Sequence, residues 1–257
     1  MNNLERGRAD LHVHTTASDG LRSPEECVHL ANELGLDIIG ITDHDRTWGA
    51  LLALEEARKL GGSVSVVPGT EITTAQGHLL ALYVKEEIPS MGSLFETVRE
   101  IHYRGGLAIA PHVGLGPSPI SISPKTIANL YLKGERLDGI EVLNPHYRRR
   151  HLEQARLLSL KYDISPVAGS DDHLGNFGRE VQTLFLGKTA VDLRVSIEEG
   201  KTIAVRSEFP LKKIPVSDRI LQISQGLTDD LSRKTRRARI FVSTLISLRL
   251  EELRDKI

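Results

Sequence analysis

A single cysteine, Cys27, stands in 257 residues. One thiol excludes an internal disulfide framework and any site made of several thiolates, and it agrees with a reducing compartment. An excess of either charge is also missing. The chain carries 33 basic and 34 acidic residues, a net of -1, so nothing global marks a nucleic-acid or membrane binder and attraction to anions must be local. No apolar run approaches the length needed to span a bilayer. The charged N-terminal residues Met1 to Arg8 have no apolar run behind them, so no secretory signal is expected and the expected location is cytoplasmic, without membrane partners. Internal repeats and low-complexity tracts are absent.

What is present is an alternation of short apolar runs and helix-period segments from residue 9 to about 187, the pattern of repeated βα units around a mainly parallel sheet. Strands are expected at Ala9–Val13, Asp37–Thr42, Ser63–Val67, His78–Val84, Leu107–Ala110, Gly139–Leu143, Ser165–Ala168 and Val181–Leu186. Most are continuously apolar, as strands covered on both faces are. Helices are expected at Pro24–Leu34, Thr47–Leu60, Ser93–Arg104, Pro124–Tyr131 and His151–Tyr162. Ser23 with Glu26 reads as a capping box, and Pro24 fits the first helical position.

The pattern changes past Ser207. Pro210 and Pro215 mark a linker, a polar stretch follows, and a long helix is expected over Asp229–Lys256. The chain therefore divides into an α/β unit at 1–207 and a basic, mainly helical extension at 208–257, with net charges of -5 and +4. Phe241, Leu245 and Leu248 with Val242, Ile246, Leu250 and Leu253 form a wide apolar stripe that must bury itself on the barrel or on a second subunit, making a homo-oligomer. Arg233, Lys234, Arg236, Arg237 and Arg239 beside it read more readily as a solvated face than as a nucleic-acid contact.

Histidine and acidic residues cluster at strand ends. His12 and His14 flank Val13, and alternate residues on a strand point the same way. His44 ends the second strand, Glu71 follows the third, His78 opens the fourth, and His112, Asp171 and His173 follow later ones. Asp19 sits in an Asp-Gly turn past the first strand. Parallel barrel strands deliver their C-terminal ends to one face, so these nine residues converge. Imidazole and carboxylate donors suit Zn, Mn or Fe, and nine of them imply more than one ion. Asp43, Asp45 and Asp172 are expected to orient those histidines or cap helices. His29, His102 and His151 lie within helices and are left out.

These residues resemble the polymerase and histidinol phosphatase superfamily of metal-dependent phosphoesterases. The match runs through Asp10-Leu11-His12-Val13-His14 on to Asp19-Gly20, Ile41-Thr42-Asp43-His44, Ala110-Pro111-His112 and Gly169-Ser170-Asp171-Asp172-His173, and covers about residues 9 to 206. Pro68-Gly69-Thr70-Glu71 and Gly77-His78 are similar to the stand-alone branch that includes nucleoside-phosphate phosphatases and oligoribonucleotide exonucleases. The resemblance implies a distorted (β/α)7 barrel and a trinuclear site. His12, His14, Glu71 and Asp171 would hold one ion. Glu71 would bridge to a second ion held with His78 and His112, and Asp19, His44 and His173 would hold a third. Val113 departs from the family's usual proline after the histidine.

The expected activity is hydrolysis of a small phosphomonoester, such as a nucleoside phosphate, by a metal-activated hydroxide. His44 or His173 would protonate the leaving group. Arg148 and Arg179 are the candidate phosphate forks and His146 a further substrate contact. The rival readings are 5'-3' exonuclease action on short oligonucleotides, an amidohydrolase, and a non-catalytic metal-binding module.

Overall fold

The computed structural model describes residues 5–116, 120–232 and 235. Its strands are β1 (Arg6–Val13), β2 (Ile38–Ile41), β3 (Ser65–Thr74), β4 (Gly77–Leu82), β5 (Leu107–Ala110), β6 (Gly139–Leu143), β7 (Ser165–Ala168), β8 (Val181–Leu186) and β9 (Ile203–Arg206). The helices are α1 (Pro24–Glu33), α2 (Trp48–Lys59), α3 (Leu94–Tyr103), α4 (Pro124–Leu132), α5 (Arg149–Tyr162) and α6 (Ala190–Glu198). A further helix, α7, spans 216–232.

One sheet runs in the order β7-β6-β5-β4-β3-β2-β1-β8-β9. Pairing is parallel from β1 to β3 and from β5 to β7, whereas β4 and β8 run antiparallel to their neighbours. Strand β9 contacts β6 and β7 at the far end of the list, so the sheet curls into a nearly closed, distorted barrel. Seven parallel strands are each followed by a helix, two of them after an antiparallel excursion, which gives the expected (β/α)7 layout.

The interior strands form where apolar residues predominate. β2, β5 and β6 are buried at every position, as strands with side chains packed on both faces must be. Ser23 and Ser93 each close a capping box with Glu26 and Glu96 at the starts of α1 and α3, satisfying donors that the helix leaves open. Apolar side chains of β4, β5, β6 and α3 to α5 fill one cluster, and those of β1, β2, α1 and α2 another.

Five elements differ from expectation. β3 does not stop at Val67 but runs through Glu71 to Thr74 and turns into β4. β4 is antiparallel, so its first residues, not its last, lie at the mouth. The pair α6 and β9 continues the barrel past Leu186. The last described helix begins at 216 rather than Asp229, and the apolar and basic positions from 236 onward, with Arg233 and Lys234, lie outside the described residues. Among the described residues, no helix is long and apolar enough to cross a membrane.

Candidate metal centre

All nine residues expected to converge do so at the C-terminal end of the parallel strands. His12 is on β1 and His14 one step past it. There the chain beyond β7 returns to β1, with the His14 amide donating to the Asp172 carbonyl at 3.0 Å and Val13 bridged to Asp172. This bridge sets Asp171 and His173 beside His12 and His14. A second bridge, His44 to Glu71, sets the ends of β2 and β3 side by side, and the antiparallel sense of β4 brings in His78.

Glu71 is the hub. Its Oε2 lies 3.3 Å from His14 Nε2, 3.5 Å from His12 Nε2 and 3.0 Å from His44 Nδ1. Its Oε1 lies 2.9 Å from both His78 Nδ1 and His112 Nε2. Asp171 Oδ1 completes a first group at 3.3 Å from His12 and from His14. Asp19 makes another, with His173 at 3.4 Å, His14 at 3.6 Å and His44 at 3.7 Å. Within each of three groups the donor atoms lie within 4.8 Å of one another: His12-His14-Glu71-Asp171, His14-Asp19-His44-His173 and His44-Glu71-His78.

The donors fit divalent cations. His12 Nε2 and His14 Nε2 face each other at 3.1 Å, an arrangement in which two lone pairs repel unless a proton or a cation sits between them. Glu71 Oε2, His14 Nδ1, His44 Nδ1 and His112 Nδ1 are buried yet make no well-oriented hydrogen bond. The 3.0 Å approach of His44 to Glu71 is therefore an ion-pair distance without hydrogen-bond geometry. Buried polar atoms left in this state cost free energy unless another partner takes them.

Electrostatics point the same way. Burial raises the carboxyls of Glu71, Asp171 and Asp19, yet the surrounding imidazoles outweigh it and hold all three below their ordinary range. Burial lowers His14, but bonds to Asp171 and Glu71 override it and push it up to about 10. His12 and His112 are also raised, by Asp171 and Glu141 and by Glu71 respectively, against their burial. His44 goes the other way, down to about 3, because burial prevails. Carboxylates thus favour protons on His12, His14 and His112, in positions where ions would otherwise sit.

Two supporting residues escaped the sequence reading. Glu141, buried in β6, accepts from His12 Nδ1 at 2.8 Å, from the His112 amide at 2.8 Å and from Asn144 at 3.0 Å, which fixes the His12 ring and leaves its Nε2 facing the cluster. The only local signal was an acid inside an apolar strand. A Cβ at Gly169 would collide with Glu141 Oε1, so glycine there makes room for that carboxylate. Arg46 links Ala17 to α7, its Nη1 donating to the Ala17 carbonyl at 2.6 Å.

The acids expected to orient histidines or cap helices tie loops instead. Asp43 accepts from the Thr15 amide and hydroxyl and from Ser18, holding the turn that carries Asp19. Asp45 accepts from Thr73, and Asp172 from the amides of Gly175 and Asn176. Asp10 takes three amides, including Gly178 at 2.7 Å, and burial pushes its carboxyl up to about 6.

The substrate candidates lie outside this cluster of donors. Arg148 is an exposed residue at the N-cap of α5, and His146 is exposed in the loop after β6. Arg179 is buried and donates from Nη1 to the Pro210 carbonyl at 2.9 Å, so its guanidinium is bonded to the segment after β9 instead of standing as a free fork. Cys27 is free and buried.

The model of the PHP domain matches residues 10–114. An uncharacterized protein of Methanocaldococcus jannaschii is 34% identical over 152 residues, which are 55% of this chain and 84% of that one. The 5'-3' exoribonuclease Rnm of Salmonella typhimurium is 38% identical over 105 residues, 39% of this chain and 36% of the enzyme. The 3',5'-nucleoside bisphosphate phosphatase of Chromobacterium violaceum is 28% identical over 148 residues, 56% of this chain and 48% of that protein. The chain thus spans about half or less of these two named enzymes. A two-domain Bacteroides vulgatus protein containing a predicted PHP-like metal-dependent phosphoesterase superposes with TM-score 0.67 at 24% identity, covering 80% of this chain and 66% of that one. Fold, motif and identity agree, and the chain belongs to the PHP-domain family.

Proposed function

We propose that the chain is a metal-dependent phosphoric ester hydrolase acting on a small phosphomonoester such as a nucleoside phosphate. The observation that carries this reading is Glu71, one buried carboxylate whose two oxygens address different sets of imidazoles. His12, His14, Glu71 and Asp171 would hold one divalent ion, Glu71, His78 and His112 a second, and Asp19, His44 and His173 a third. Zn, Mn and Fe all suit these donors. Bound ions of this kind acidify water and clamp phosphoryl oxygens.

The chain's own residues prepare that chemistry. Glu141 holds the His12 ring, Asp43 the Asp19 turn and Asp10 the loops behind Ser170 and Gly178. His44 and His173 border the Asp19 side. His44, held down to about 3 by burial, carries no proton near neutral pH, so His173 is the better candidate to protonate the leaving oxygen. Arg148 and His146, exposed beyond β6, are the candidates to meet the phosphate or the group attached to it. Similarity to an exoribonuclease favours a second reading, hydrolysis from the end of a short oligonucleotide.

A panel of nucleoside mono- and bisphosphates, dinucleotides and short RNA or DNA, offered to the metal-loaded protein, separates the two. Phosphate release from mononucleotides at a higher kcat/KM than cleavage of oligonucleotides supports the first reading. The reverse order supports the second, and turnover of amides or lactones but no phosphoester overturns both.

A further inference from the structure

The barrel-facing side of α7 is polar and its outward side apolar, the reverse of an ordinary surface helix. Gln222, Gln225, Gly226 and Asp229 are shielded on one row, while Val216, Ile220, Ile223, Leu227 and Leu231 are exposed on the other. Hydrophobic burial therefore does not hold this helix down. The Asp229 carboxylate is buried against Arg46 Nη2 at 2.7 Å. The same guanidinium bonds Ala17 through Nη1, two residues before Asp19. Arg46 thus joins the helix to the turn that presents a candidate ligand.

Gly226 packs against the Asp19 side chain. A side-chain carbon there would lie 3.9 Å from Asp19 Oδ2, 4.0 Å from Asp19 Cβ and 3.9 Å from Gln222 Nε2. The Asp19 carboxylate and the Gln222 amide therefore both lie within van der Waals reach of that position. Nearby, Gln225 Oε1 is out of solvent and accepts no hydrogen bond. A side-chain carbonyl withdrawn from water without a donor is expensive unless a donor arrives.

Building on the phosphoester reading, we infer that α7 is the wall of the metal centre on the Asp19 side. Gln222, Gln225 and Gly226 determine which group beyond the phosphate fits. Gly226 sets the clearance, and the two amides meet hydroxyl or amine groups of a sugar or base. Two glutamines and a glycine suit a polar, uncharged moiety such as a nucleoside better than an apolar one.

The test uses the full chain, metal-loaded, with p-nitrophenyl phosphate and a nucleoside monophosphate as probes. Gly226→Trp should lower kcat/KM for the nucleotide at least ten times more than for p-nitrophenyl phosphate, and Gln225→Ala should raise KM for the nucleotide alone. Leu227→Trp, one residue away on the outward side, should change neither. Equal effects of the two tryptophans, or an unchanged nucleotide KM in Gln225→Ala, would overturn the inference. Hydrogen exchange in Asp229→Ala gives a readout that needs no turnover: amides of 15–20 and 216–232 should both exchange faster, and an unchanged 15–20 turn would contradict the coupling. Failure of the wild-type protein to hydrolyse either ester strikes at the phosphoester reading, while the exchange result still judges the wall.

Discussion

At the residue scale the centre depends on atoms held in place from behind. Glu141 touches no ion in the proposed scheme, yet it sets the His12 ring through a 2.8 Å contact. Replacing it with glutamine keeps the size and removes the charge. Metal affinity or activity should fall by about 10–100-fold, the usual effect of removing such a partner, read by metal titration. An unchanged affinity would mean His12 needs no orientation. The raised histidines make a second prediction. His14, at about 10 in the metal-free chain, carries a proton at neutral pH that an ion must displace, so binding should release at least one proton at pH 7.5. Calorimetry in buffers of different ionisation enthalpy reads this directly, and no buffer dependence would contradict it.

Strained backbone makes the element scale visible. Asp45, His112 and Asp171, three of the six described non-glycine residues with positive φ, sit at the ends of β2, β5 and β7. Such conformations cost roughly 1–3 kcal/mol each and persist where surrounding bonds over-determine them. Gly169, between β7 and Asp171, is constrained by contact instead, since a Cβ there would run into Glu141 and the His12 side chain. Gly169→Ala should destabilise the fold by about 1–3 kcal/mol, as overpacking does, and weaken metal binding by moving Glu141. Denaturant midpoints together with metal titration test this, and a neutral substitution would show that Glu141 has room to move.

Much of this was legible in the sequence because it is local. Short apolar runs announced β2 and β5 and, around Glu141, β6, and strand alternation put His12 and His14 on one face. What was not legible depends on distant partners. Glu141 acts on a histidine 129 residues away, and Arg46 pairs with Asp229, which no local pattern connects to it. The antiparallel sense of β4, which brings His78 to the mouth, is a matter of pairing rather than spacing. Helix α7 carries an apolar period at Val216, Ile220, Ile223, Leu227 and Leu231 inside the segment expected to be a polar stretch. Its inverted orientation did not follow from the assumption that apolar stripes face a core.

Across the whole molecule the clustered charges tie stability to pH and metal. Without metal, the raised His14 stabilises the fold fully below its unfolded value of 6.5, and that contribution is lost as pH rises through about 10. The lowered carboxyls of Asp19, Glu71 and Asp171 contribute above their ordinary values of 3.8 to 4.5, and this is lost as the medium turns more acidic. His44, depressed to about 3, adds a loss as pH falls from 6.5 toward 3. The metal-free protein should therefore weaken from pH 7 to 9, while ion binding strengthens as protons leave. The Tm gained on adding metal should grow over that interval. At 100 times Kd the gain corresponds to about 2.7 kcal/mol for one ion, or roughly 5–11 °C for a domain of this size. A gain that shrinks with rising pH would contradict the proton-for-metal exchange.

The measurement that bears most directly on the central claim is phosphate release from a nucleoside monophosphate before chelation, after chelation, and after restoring Mn or Zn, in the wild-type chain and in Glu71→Gln. The account predicts activity that vanishes with the ions, returns with them in the wild type, and does not return in the variant. Full activity in the metal-free chain, or full recovery in Glu71→Gln, would contradict it.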